Sequence, residues 1–398
     1  MRTVDSMLLI AALAPATVSA QARDSGAYVV RLGSDTIAVE RYVRTPTLLV
    51  VEGVTRLPQT RLTRLVVRSD AAGRITSYEH ANSPVPGAGG MGEIITAAGY
   101  RADSIRIEVS QGTNAPRVRT IAGTPAMLPL IAPMYSTHAV AIARARENGD
   151  TLLQLVSSQG PIAYRIRVAG DSVFMTGPGS TGTMKAAWDE EGMALLDGTG
   201  TTFKVVVTRT AWLDPDSMAR HFARQDALGR ALGVLSPRDT IRARIAGAMI
   251  SIAYGRPAAR GRRIFDALVP FDQVWRMGAN AATELETDHQ LDIGGRTIPP
   301  GRYSVWSIPR RDRWTLIINR QTGQWGTSYD PAHDLARIDI PVANLAVPVE
   351  RFTIEFVESR DRGEIRFSWD RTRAVARFAV LPRGGAESPE DTASFRSP

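Results

Sequence analysis

The feature that most constrains this chain is an alternation of apolar and polar residues with a period of two, broken at short intervals by Gly, Asp, Asn or Pro. It begins at Ala27 and runs to about Val207, as in Tyr28-Val29-Val30-Arg31-Leu32, Thr47 to Val51 and Leu65-Val66-Val67. Asp171 to Met175, Ala187 to Leu196 and Phe203 to Val207 continue it. Successive side chains of an extended strand point to opposite faces, so this pattern buries one face and wets the other. The expectation for residues 21–210 is therefore an antiparallel β domain, folded as an up-and-down sheet or an open barrel.

The pattern changes once. Asp214 is placed to cap a helix, Pro215 suits its first turn, and Met218, Phe222, Gln225, Leu228 and Leu232 fall along one stripe, with Gly233 able to end it. Residues 211–235 thus read as a helical linker, a packing element or hinge between two β regions. Alternation then resumes from Thr240 to Ile245 and Met249 to Tyr254, and later at Tyr303 to Ile308, Trp314 to Ile318, Phe352 to Phe356 and Glu364 to Trp369. The predicted second domain, 236–382, is a mainly-β unit of jelly-roll or immunoglobulin-like sandwich type. Residues 383–398 lack periodicity and are rich in Gly, Ser, Pro and acids, the composition of a disordered tail.

At the N-terminus, Arg2, the apolar run Met7 to Ala14 and the small-x-small triplet Val18-Ser19-Ala20 form the pattern of a cleavable signal peptide over residues 1–20. The run is shorter than a bilayer-spanning helix requires and Pro15 breaks it. The expected location is periplasmic or secreted. The chain has no cysteine, hence no lipidation site, disulfide framework or thiolate nucleophile. Its formal charge of +8 rests almost wholly on arginine, with lysine only at Lys185 and Lys204. These arginines are spread among acids along alternating strands, not gathered as a phosphate-tracking surface, so no nucleic-acid partner is expected.

Within the second domain a series of ordered strings is informative: Tyr254-Gly255-Arg256-Pro257, Arg260 to Phe265, Leu268-Val269-Pro270, Val274-Trp275-Arg276 and Gly278 to Thr283. Pro300-Gly301-Arg302-Tyr303, Ile308-Pro309, Trp314 with Ile317 to Asn319, and Gly323-Gln324-Trp325-Gly326 follow. Together they resemble the bacterial domain-of-unknown-function family 2911, from about Leu235 to Phe356. The resemblance brings no reaction with it, because that family has no assigned activity. It implies glycine where this chain has Asp266 and Asp272. The first domain resembles no family we can name.

The segment Arg256 to Thr283 is a long, weakly periodic stretch inside an otherwise stranded domain, and such loops are where binding concentrates. Arg256, Arg262, Trp275, Arg276 and Asn280 are its candidate ligand-binding residues, arginine for forked hydrogen bonds to a carboxylate, phosphate or sugar and Trp275 for stacking. The alternative reading has Arg256 and Arg276 holding loop carbonyls and acids while Trp275 and Phe265 plug the core. Trp325, between Gly323-Gln324 and Gly326, is either an exposed ring lining a groove or a lid on the end of the sandwich. Trp306, Trp314 and Trp369 occupy strand positions and read as core.

Chemistry-bearing motifs are weak. Gly87 to Gly92 and Gly177 to Gly182 match GxGxxG, but neither joins a strand to a helix as a dinucleotide loop must, and Pro178 spoils a hydrolase elbow at Ser180. His80, His138, His221, His289 and His333 are dispersed without zinc spacing, so no metal and no cofactor is expected. The weak catalytic candidates are Glu284, Asp288 and His289, with Arg276 nearby; Asp288-His289 and His333-Asp334 form a cluster only if their loops meet. The leading expectation is an exported, non-catalytic binding or scaffold protein of the bacterial envelope, with a small anionic or carbohydrate ligand or an envelope protein partner. The alternatives are an extracytoplasmic hydrolase with a site assembled across strands, and an accessory subunit that reaches a membrane complex through its partner.

Overall fold

The computed structural model describes residues 24–88, 92–179, 181–359 and 362–381; the expected signal peptide and tail lie outside these. Among the described residues no helix is long and apolar enough to cross a membrane.

The alternating runs of the first domain become one sheet of fifteen strands, β1 (Asp24–Leu32) to β15 (Val206–Arg209). Short turns make each strand pair with its sequence neighbour. The chain begins in the middle of the sheet, steps outward through β2 (Asp35–Arg44) to β8 (Arg117–Ala122), and re-enters at the far edge as β9 (Leu128–Pro129). It then steps back until β15 pairs with β1, Tyr28 opposite Arg209 and Val30 opposite Val207. The sheet curls around one core but does not close into a barrel.

Two features depart from a purely antiparallel meander. β9 pairs in parallel with β10 (Leu152–Ser157), because the chain between them forms α1 (Ser136–Asn148), the kind of crossover a parallel pair needs. Sequence reading missed this helix, and its burial explains why. Every residue from Ser136 to Ile142 is buried, so no polar stripe marks a helical period. The buried Glu40 carboxylate on β2 holds its start, accepting from the Tyr135 and Ser136 amides at 2.6 and 3.1 Å.

The connecting helix α2 (Pro215–Gln225) starts as expected, with Asp214 accepting from the Asp216 and Ser217 amides. Phe222 and Ala219 pack on Val39 and Val54, while Ala38, next to Val39, faces the main core, so α2 covers the outer face of the sheet. The helix ends sooner than the sequence predicts. A wide turn follows over Asp226–Arg230, Gly229 is left-handed at φ 76°, and Leu228 is exposed rather than on the buried stripe.

The second domain is a nine-stranded arrangement from β16 (Arg238–Ile245) to β24 (Arg362–Val380) around a separate core. The long β23 (Asp334–Ser359) pairs with β22 (Arg313–Asn319) up to Pro341 and from Val342 with β24, a pairing that shifts register between Asn344 and Thr353. The change of partner at Pro341 and Val342 carries the chain from one hydrogen-bonded leaf to the other. Trp314 and Trp369 lie in the core, and Trp306 is buried on the other face with its Nε1 donating to Ser304 Oγ.

Candidate functional site: a cationic cleft between the two sheets

The connection between β17 (Ala248–Gly255) and β18 (Thr283–Thr287) is the irregular loop singled out in the sequence. It turns repeatedly through left-handed backbone at non-glycine residues, with φ of 51° at Arg260, 65° at Asp266, 60° at Asp272, 54° at Met277 and 64° at Asn280. Asp266 and Asp272 are the positions where the family resemblance implies glycine. Aspartate tolerates this conformation better than most residues. Here Asp272 also accepts from Arg310 Nε at 2.7 Å and Asp266 from Arg311 at 3.4 Å.

One turn of this loop docks on the first domain. The Ser34 amide and hydroxyl donate to the Arg260 carbonyl at 2.9 and 3.1 Å, and the Arg260 guanidinium pairs with Asp35. Gly33, left-handed at φ 61°, leaves no room for a side chain, since a Cβ would stand 2.2 Å from the Arg260 carbonyl oxygen. Beside this contact lies a cleft of about 870 Å³, walled by the first domain's loop from Gly200 to Lys204, the connector Gly233 to Ser236, and the second domain's loop.

The cleft's charge is one-sided. Lys204, Arg260, Arg262 and Arg276 line it, and among the described residues no Asp or Glu does. Arg260 is answered by Asp35. Arg262 donates to the Ala259 and Ala258 carbonyls at 2.9 and 2.7 Å; burial and then the neighbouring Arg260 charge lower its proton affinity. Lys204 and Arg276 are different. Neither side chain has a hydrogen bond or a carboxylate partner among the described residues, and Arg276 Nε is wholly buried without an acceptor. Burial lowers both, and the Arg262 and Arg276 charges add to the effect on Lys204. A partly desolvated cation without an anion is costly, and these two face the same space.

The other residues picked from the sequence divide clearly. Arg256 is a structural tie, donating to Asp239 at 3.0 Å, Thr353 Oγ1 at 3.3 Å and the Phe352 carbonyl at 3.4 Å. Trp275 is buried among Phe265, Trp314, Phe352 and Trp369, although it also lines the cleft. Asn280 lines the cleft, and its carbonyl accepts from the Gly326 amide at 2.9 Å. Trp325 is 57 % exposed and stands beside the cleft, not in its wall.

Glu284 accepts from the Gly323 amide at 2.9 Å and from Arg238 at 3.1 Å. Asp288 accepts from the Met249 amide and contacts His289 Nδ1, both at 2.7 Å, contacts that hold its carboxyl below the usual range. Four residues along a strand separate Glu284 from Asp288 by roughly 13 Å, and none of Glu284, Asp288 and His289 lines the cleft. His333 is 3.1 Å from Asp330, and among the described residues no group of three or more His, Asp or Glu is arranged to hold a metal ion.

Arg260 lay in the segment that sequence reading singled out, though not among its chosen ligand-binding residues, and Lys204 was missed. The one available signal was the rarity of lysine in a chain whose other cations are arginine. No curated protein matches the chain. Residues 236–378 match the family model described as "Protein of unknown function (DUF2911)", a little over a third of the chain that reaches past the expected end at Phe356 into β24, and the second domain is therefore a domain of that family.

Proposed function

We propose that this protein is a non-catalytic binding protein exported to the bacterial envelope, and that its ligand is a small organic anion held in the cleft between the two sheets. The observation that carries this reading is the pair Lys204 and Arg276, two partly buried cations facing a cleft whose lining contains no acid among the described residues. A bound carboxylate or phosphate supplies the missing counter-charge. Guanidinium suits such groups because its planar fork matches two oxygens at once. The volume lies within the range of small-molecule sites.

Isothermal titration of the mature protein tests this with a panel of carboxylates and phosphate monoesters set against neutral oligosaccharides. The expected result is binding of anions only, weakened at least tenfold by Arg276→Gln and by Lys204→Gln. Tight binding of a neutral sugar that neither substitution alters, or a stoichiometric envelope protein in place of any small ligand, overturns it.

A further inference from the structure

We infer that the cleft takes a single-tailed anionic amphiphile, its acidic head at Arg276 and Lys204 and its tail along the apolar walls. This inference rests on the anion-site reading above. Three large apolar side chains that water reaches stand around this one cleft: Phe203 is 45 % exposed, Val234 59 % and Val274 40 %. Leu57, Leu235 and Leu268, each half-buried, continue the same lining. These six come from both domains and from the connector, so no single element's packing accounts for their convergence.

Phe203 is next to Lys204 in the chain, and Val274 is two residues from Arg276, so in each domain an exposed apolar side chain and a cation of the lining are close in sequence. The size agrees with the chemistry. At about 30 Å³ of liquid per water molecule, 870 Å³ far exceeds what acetate or inorganic phosphate fills. A tail that displaces this water from apolar walls gains about fourfold in affinity per methylene it buries.

The experiment uses the full mature chain and two readouts. The first is titration with acetate, hexanoate, decanoate, decyl phosphate and a neutral decyl glycoside, all below micellar concentration. The second is amine acetylation followed by mass spectrometry, for which the chain has only two lysines: Lys204 in the cleft and exposed Lys185 as internal control. Decanoate is expected to bind at least tenfold more tightly than hexanoate and to protect Lys204 while Lys185 reacts unchanged.

Comparison of decanoate with decyl phosphate assigns the head as carboxylate or phosphate. Acetate or phosphate binding as tightly as decanoate overturns the amphiphile and leaves the anion site standing. Equal affinity for the neutral decyl glycoside overturns the anionic head, and with it the anion-site reading. If no compound binds or protects Lys204, both readings fall. Lys204→Gln, in a loop, supports the assignment independently should Arg276→Gln fold poorly.

Discussion

Gly326 lies so close to Arg276 that a Cβ on it would stand 1.8 Å from Arg276 Cδ and 2.5 Å from the Asn280 carbonyl oxygen. The absence of a side chain, not an unusual φ, lets the turn after Trp325 clamp the cationic loop. Gly326→Ala must therefore push the Arg276 side chain or the Asn280 backbone aside. Loss of anion affinity by about tenfold is expected, equivalent to about 1.4 kcal/mol. Calorimetric titration of the variant, with its melting temperature as a control for folding, checks this; unchanged affinity would remove Arg276 from the site.

The two tryptophans of this region should respond oppositely to truncation. Trp275 stacks on Trp369 at 6.0 Å and meets Phe352 edge-on at 5.1 Å, so Trp275→Ala leaves a large cavity and is expected to cost about 3–5 kcal/mol. Trp325 is largely exposed, and Trp325→Ala should stay within about 0.5 kcal/mol of the parent. Urea denaturation followed by circular dichroism distinguishes them. A small effect at Trp275 would mean that its ring does not belong to the core.

Titration of Glu40 should subtract from the first domain's stability as pH rises toward neutrality, against a larger opposing gain from two buried histidines. Glu40 is fully buried, its Oε2 has no partner among the described residues, and burial raises it to about 7 against the lowering effect of the Tyr135 and Ser136 amides. Because the folded value exceeds the unfolded one, the folded state binds the extra proton. The stabilisation is complete below about pH 4.5 and is lost as pH rises through about 7, a change on the order of 3 kcal/mol. His80 and His138, lowered to about 4 by burial, act the other way, stabilising above their unfolded value near 6.5 and failing as pH falls toward 4. Glu40→Gln is expected to leave the histidine gain unopposed, so that stability rises more steeply between pH 4.5 and 7 than in the parent, as measured by melting temperature across that range. A variant whose profile matches the parent would place the Glu40 titration elsewhere.

Alternation in runs such as Tyr28 to Leu32 is enough to assign most of this chain to strands, and short turns between such runs are enough to make neighbours pair. Likewise Asp214 and Pro215 mark where α2 begins, and the aromatic positions at Trp306, Trp314 and Trp369 are recognisable as core. These are local properties: periodicity states which face of an element meets water, and a cap acts within one turn. Helix α1 escaped this reasoning because the sheet buries it on nearly every side, so no polar stripe remains. The end of α2 escaped it because Gly229 interrupts the apparent stripe before Gly233.

The loop from Arg256 to Thr283 was visible as a candidate surface, yet nothing local separates Arg256, tied to Asp239, from Arg276, which faces an open cleft without a partner. That difference depends on which groups from distant segments arrive beside each guanidinium. Lys204 joins Arg276 only because the turn at Gly33 and Ser34 docks on Arg260 and sets one sheet against the other. Charge compensation is a property of three-dimensional neighbourhoods, so the cleft and its unanswered charge exist only in the tertiary structure.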